Sequence, residues 1–152
     1  MLTAEENAQL TRVGPGTLMG DLMRHYWIPV VQSSELIAGG RPKRVRLLGE
    51  DLVAFRDPGG RAGLVSEFCA HRRASLYFAR NEERGLRCVY HGWQYGPGGR
   101  CVDMPNERPE SNFQDKVTLT VQVLAGLQLP PGARGRRGPG AHLVPARHPG
   151  YA

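Results

Sequence analysis

Two short stretches, Cys69-Ala70-His71 and Cys88-Val89-Tyr90-His91, decide how this 152-residue chain is read. In each, a cysteine is followed by a histidine two or three positions later, and sixteen residues separate His71 from Cys88. Two such loops facing each other offer two thiolates and two imidazoles, a donor set that suits zinc or an iron–sulfur cluster. Structural zinc sites usually show a C-x(2–4)-C knuckle and often H-x(3–5)-H, and the chain has neither. One Cys and one His on each loop suits a dinuclear iron–sulfur centre, with Cys69 and Cys88 on one iron and His71 and His91 on the other. A zinc site built from the same four residues, or a coincidence of core Cys and His, are the alternatives. Imidazole is neutral where thiolate is negative, so the mixed set raises the reduction potential to about −150 to +300 mV, against about −400 mV for all-cysteine plant-type clusters. The added electron is expected on the histidine-bound iron, with His71 and His91 near the surface as the electron exit.

The sequence around these loops reads as strands. Lys43 to Leu48 ends at the turn Gly49-Glu50-Asp51, and Leu52 to Arg56 ends at Asp57-Pro58-Gly59-Gly60. Ala62 to Val65 leads into Cys69, and Gly85 to Tyr90 leads into His91. Trp93 to Tyr95 turns at Gly96-Pro97-Gly98-Gly99 into Arg100 to Val102, and Val117 to Val123 is a last candidate. Short strands punctuated by Gly, Pro and Asp predict a mainly β fold, an antiparallel sandwich or small barrel. A helical extension precedes it. Thr3-Ala4-Glu5-Glu6 is a capping box for a helix to about Arg12, Gly14-Pro15-Gly16 stops it, and a second helix is expected from Thr17 to His25. Tyr26 to Val31 reads as extended and buried, with Trp27 filling a core. The predicted organisation is a helical extension over 1–40, the cluster-bearing domain over 41–122, and a tail over 123–152.

Composition narrows the function classes. Hydrophobic residues at 40% and charged residues at 22% are those of a globular protein. No apolar run approaches the roughly 20 residues of a membrane span, and no secretory signal is visible, so a cytoplasmic protein is expected. Three cysteines cannot all pair, which argues for metal or redox use over a disulfide framework. The net charge of +6 is uneven. Residues 1–122 carry sixteen Lys and Arg against fourteen Asp and Glu, a net of +2, while residues 123–152 carry four Arg and no acid. The nearly balanced body argues against nucleic-acid binding. Five Pro, six Gly and four Arg make the tail read as disordered. Its abrupt shift to residues of GC-rich codons is what a frameshift would give, with a natural linker as the alternative.

Cys69-Ala70-His71-Arg72-Arg73-Ala74-Ser75-Leu76 resembles the first loop of the Rieske non-heme iron oxygenases, and Cys88-Val89-Tyr90-His91-Gly92-Trp93-Gln94-Tyr95 resembles their second. Arg87-Cys88-Val89-Tyr90-His91-Gly92-Trp93, Gly99 to Pro105, and the opening Arg12 to Pro29 are most similar to the phthalate dioxygenase branch. The resemblance spans residues 1–122. It implies a Rieske [2Fe–2S] cluster held by Cys69, His71, Cys88 and His91, with Trp93 packed near it. It also implies hydroxylation of an aromatic acid, a homotrimer, and a flavin- and ferredoxin-containing reductase as electron donor. Cys101 matches no ligand and is expected as a buried thiol. The sequence departs from the family at Ala70, where proline is common, and at Arg73, where glycine is usual. It also shows no second site for a mononuclear Fe(II) of two histidines and a carboxylate. Outside the loops only His25, His142 and His148 remain, and the last acidic residue is Asp115. His25 is expected to close the second helix. The expected function is electron transfer, as the electron-receiving part of an oxygenase component. A stand-alone Rieske ferredoxin is the other reading.

Overall fold

The computed structural model describes residues 1–108 and 110–122 in full, and the backbone of two further strands at Ala125–Gly126 and Ala141–Pro145. Two short helices open the chain. Helix α1 (Ala4–Thr11) carries the expected capping box, the Thr3 hydroxyl accepting from the Glu6 N–H while the Glu6 carboxylate accepts from the Thr3 N–H. Helix α2 (Leu18–Met23) is capped by Thr17. The buried Arg24 anchors this extension to the β region, donating to the Val13 and Leu48 carbonyls and pairing with Glu50 at 2.8 Å.

Strands β1 (Trp27–Gln32), β2 (Lys43–Leu47), β3 (Glu50–Arg56) and β4 (Ala62–Ser66) follow, then the short strands β5 (Arg80–Glu82), β6 (Gly85–Arg87), β7 (Gln94–Tyr95), β8 (Cys101–Asp103), β9 (Val121–Gln122), β10 (Ala125–Gly126) and β11 (Ala141–Pro145). They form three sheets with orders β1-β11-β10, β2-β3-β4-β9 and β5-β6-β7-β8. Every strand pair is antiparallel. The expected antiparallel β architecture with a short helical opening is therefore the one observed.

The sheet containing β3 is the middle layer, and the two-residue alternation of its side chains explains why. Leu52 and Ala54, with Leu64 of β4, pack beneath Val31 and Leu36. Val53 and Phe55, with Val65, turn to the other side, where they meet Leu76, Leu86, Trp93, Tyr95, Cys101 and Leu119. A strand apolar on both faces reads as a continuous run, as Leu52-Val53-Ala54-Phe55 does. The second of these two cores holds both candidate cysteines.

Three expectations need correction. Tyr26 and Trp27 are exposed, Trp27 at 50%, so Trp27 does not fill a core. The alternation along β1 turns Ile28 and Val30 inward and leaves Trp27 and Pro29 outside, and an irregular register between Pro29 and Val31 then brings Val31 into the core. The β2–β3 turn is Leu48-Gly49, with both residues at positive φ (47° and 79°), the geometry of a tight two-residue hairpin. Finally, Ala141–Pro145 pairs along β1, and Ala125–Gly126 pairs with Ala141–Pro145. The Pro/Gly/Arg composition gave no sign of these strands. The rest of the expected tail over 123–152 lies outside the described residues.

Gly85 illustrates how tightly the second core is closed. It sits at φ 123° after the Glu83-Arg84 turn, and a Cβ there would collide with the Tyr95 carbonyl. Gly85→Ala should therefore cost about 2–4 kcal/mol in urea unfolding, through backbone strain and overpacking together.

Candidate metal centre

The two Cys/His loops turn out to be one backbone motif used twice. In the first, the Cys69 N–H donates to the Ala74 carbonyl at 2.9 Å and the Arg73 N–H returns to the Cys69 carbonyl at 2.9 Å. In the second, the Cys88 N–H donates to the Trp93 carbonyl at 2.8 Å and the Gly92 N–H returns to the Cys88 carbonyl at 3.0 Å. The fifth residue of each loop closes the turn in the left-handed region, Arg73 at φ 54° and Gly92 at φ 77°. Glycine is the residue expected at such a position. Its replacement in the first loop is offset by the Arg73 guanidinium, which lies 4.8 Å above the Phe68 ring.

Each loop grows from a stem held by charged side chains. At the first, the carboxylate of the buried Glu67 accepts from Arg44 Nε at 2.8 Å and from the Ser75 hydroxyl, and the Glu67 carbonyl accepts from the Leu76 N–H. Burial alone would raise the Glu67 pKa, but Ser75 and Arg44 outweigh it and hold the carboxyl below its usual range. At the second, the Arg87 guanidinium donates to Glu82, Asp103, Gln94 and the Gly92 carbonyl, all between 2.7 and 2.9 Å. From β6 it thereby pins the far end of the loop to β5, β7 and β8. Sequence reading missed both stems. Their only signal was the placement of Glu67 and Arg87 just before the cysteines.

The motif brings the four predicted residues to one end of the molecule. Cys69 and Cys88 are buried and free, 2% and 4% exposed. Desolvation, and then the Cys69 sulfur beside it, push the Cys88 thiol up. His71 and His91 stand half-buried with ring centroids 4.5 Å apart. The His71 ring stacks on Trp93 at 4.5 Å and 7°, and Tyr90 lies 3.9 Å from the His91 ring. Trp93 thus packs where the family resemblance implied. Partial desolvation first, then the charges of His91 and Arg72, lower the His71 pKa and favour the neutral imidazole that binds metals. Its Nδ1 is buried without a hydrogen-bond partner among the described residues.

Beneath Cys69 lies Tyr95, fully buried. Its hydroxyl accepts from the Ala70 N–H at 3.2 Å and lies 3.3 Å from Cys69 Sγ. With a free thiol either atom can be the donor, whereas a Cys69 thiolate only accepts, so with a metal bound the hydroxyl would donate to the sulfur. Burial, and then Cys69, push its pKa far up, so the proton stays. Sequence reading did not single Tyr95 out, although it shares the inner face of its strand with Trp93. Cys101 is buried as expected, its thiol 3.4 Å from the Asp103 carbonyl. His25 is exposed just beyond α2, its N–H bonded to the Leu22 carbonyl. His142 belongs to β11, opposite Val31 and Gly126, and His148 lies outside the described residues. Among the described residues, no helix is long and apolar enough to cross a membrane.

The family model of the Rieske [2Fe–2S] domain matches residues 26–124, and the chain belongs to this family. Its extent includes β1, upstream of the boundary expected at residue 41. Over 130 residues the chain is 52% identical to the 3-chlorobenzoate-3,4-dioxygenase oxygenase subunit of Comamonas testosteroni, covering 84% of this chain and 30% of that protein. Over 121 residues it is 50% identical to the phthalate 4,5-dioxygenase oxygenase subunit of Pseudomonas putida, covering 79% and 28%. The chain thus spans less than a third of these relatives. The structure of NdmA from Pseudomonas putida CBB5 superposes with a TM-score of 0.64 at 28% identity, over 84% of this chain and 36% of that one. A dicamba monooxygenase structure gives a TM-score of 0.66 at 21% identity, a likeness of fold.

Two outcomes follow from this geometry. Arg73→Val should destabilise the chain by at least ~1 kcal/mol more than Arg73→Gly, because a β-branched residue fits the left-handed region worst; urea unfolding of both variants measures it. Tyr95→Phe should keep the cluster but lower its midpoint potential in an EPR-monitored redox titration, since a hydrogen bond to sulfur favours the electron-richer state.

Proposed function

We propose that Cys69, His71, Cys88 and His91 hold a Rieske [2Fe–2S] cluster, the two cysteines on one iron and the two histidines on the other. The observation that carries this reading is the duplicated loop, which presents two buried free thiols behind two paired, half-exposed imidazoles. Among the described residues, no three of His, Cys, Asp and Glu converge on one point that could hold a single metal ion. A tetrahedral zinc site needs four ligands around one point. A dinuclear cluster asks for only two protein ligands at each iron, which a Cys pair and a His pair supply.

A bound cluster supplies one-electron redox chemistry at the relatively high potential of mixed Cys/His ligation. The chain's own residues set its surroundings. Buried Cys69 and Cys88 keep the inner side dry, Tyr95 offers a proton to a sulfur, and Trp93 clamps the His71 ring. His71 and His91 present the outer side to a redox partner. The family and the oxygenase-subunit relatives support an electron-relay role within a ring-hydroxylating oxygenase component acting on an aromatic acid. On this reading a flavin- and ferredoxin-containing reductase donates the electrons, and the full assembly is a homotrimer in the cytoplasm.

The test is substitution at the ligands. Cys69→Ser or Cys88→Ser should abolish the reduced-state EPR signal of the reconstituted chain. His71→Cys should retain a cluster at a lower potential, because a thiolate adds negative charge. With a phthalate-type reductase, NADH and added Fe(II), this chain should be reduced without forming hydroxylated phthalate. An EPR signal that survives Cys69→Ser would overturn the ligand assignment, and turnover of phthalate would overturn the restriction to electron relay.

A further inference from the structure

A half-open cleft of about 450 Å³ lies between residues 39–42 and residues 77–81, and none of the four candidate ligands lines it. Its walls are fixed. The Gly39 N–H donates to the Arg56 carbonyl at 3.0 Å, and the Gly40 N–H donates to the Ile37 carbonyl at 2.9 Å. From the second wall the Asn81 amide donates to the Gly40 and Arg56 carbonyls, both at 2.8 Å, and so ties the two walls together. The rings of Tyr77 and Phe78 meet edge to face with centroids 5.1 Å apart. The Arg44 guanidinium lies 4.3 Å from the centre of the Tyr77 ring and 5.3 Å from that of Phe78, and Glu67 holds Arg44 in turn. Phe78 is thus positioned by its neighbours and yet 62% exposed. Two guanidinia, Arg41 and Arg80, line the cleft, and among the described residues no carboxylate does. Arg80 pairs with Glu82 at 3.1 Å, whereas Arg41 is exposed and makes no ion pair among the described residues. The cleft therefore offers an incoming molecule a preorganised ring surface and an open fork of N–H donors.

We propose that this cleft binds a small aromatic carboxylate, its ring against Phe78 and its carboxylate on the Arg41 guanidinium. A guanidinium matches a carboxylate through two parallel charge-assisted hydrogen bonds. Two rings in offset or edge-to-face contact gain more than the area they bury. The volume falls in the range of small-molecule sites, about 300–1,000 Å³, in which apolar walls carry a few placed polar groups. Neither feature alone selects this ligand: an inorganic anion would use only the guanidinium, and an uncharged ring only the aromatic wall. The inference goes beyond the electron-relay reading and does not depend on the cluster, since the cleft shares no residue with the four candidate ligands.

The experiment titrates the purified full chain with benzoate by calorimetry in low-salt buffer. One site with a Kd of about 1 mM or tighter is expected. Arg41→Gln should weaken it by about fivefold or more, and Arg41→Lys should restore only part of the loss, because an ammonium cannot form the bidentate pair. Phe78→Ala should weaken it by about threefold or more, as should replacing benzoate with cyclohexanecarboxylate, which keeps the charge and lacks the aromatic ring. Both side chains are exposed, so these variants should keep the parent's circular dichroism and urea midpoint. Arg108→Gln, an exposed cation outside the cleft, should change the affinity by less than about twofold. No binding at about 10 mM benzoate, undiminished affinity in Arg41→Gln or Phe78→Ala, an equal loss in Arg108→Gln, or inorganic phosphate binding as tightly as benzoate overturns the site. Failure of the cluster assignment shows separately, as a missing Rieske EPR signal in the parent chain with the benzoate titration unchanged.

Discussion

Everything at the functional end depends on the left-handed turn that closes each loop. The cysteine N–H and carbonyl are both consumed by that turn, bonded to the sixth and fifth residues of the loop. This fixes the cysteine side chain toward the core and leaves the intervening residues, including the histidine, on the outside. One turn geometry therefore sorts the candidate ligands into a buried thiol and an outer imidazole, and repeating it gives two of each. The alternative, a loop closed by side chains alone, would have to hold four ligands against the entropy of two flexible segments.

The rest of the fold serves to bring the two turns face to face. The two-sided strand β3 divides the interior into two cores, and only one of them, containing Phe55, Leu86 and Tyr95, lies beneath the cysteines. Glu67 and Arg87 occupy equivalent places at the roots of the two loops, and each ties its root to neighbouring elements through charge-assisted hydrogen bonds. These hold the ligand loops where their own backbone bonds cannot reach. Stems of this kind are expected to be costly to break, because the charges are partly buried and mutually dependent.

Much of this was legible in the sequence, for physical reasons. The apolar run Leu52–Phe55 and the Gly/Pro turns that bound it announced antiparallel strands, and Cys-x-His with Cys-x-x-His announced the centre and its four candidate ligands. The capping box at Thr3 was readable because it is purely local. What escaped was long-range. Trp27 looked like core because aromatics usually are, yet which face of β1 points inward is settled only by its neighbours. Arg73 stood out against family glycine, and its φ of 54° puts it at the same left-handed position as Gly92, where glycine fits with least strain. Tyr95 and the two stems depend on contacts across strands, which no spacing reveals. The pairing of Ala141–Pro145 with β1 lies in a segment whose composition argued for no structure at all.

The account stands on one claim, that the two loops together hold a dinuclear iron–sulfur cluster. The most direct measurement is iron, zinc and acid-labile sulfide analysis of the anaerobically purified chain, with EPR after dithionite reduction. Two iron and two sulfide per chain, with a rhombic signal whose average g value falls below that of all-cysteine clusters, is the predicted result. One zinc per chain, or iron without sulfide and without the signal, would contradict it.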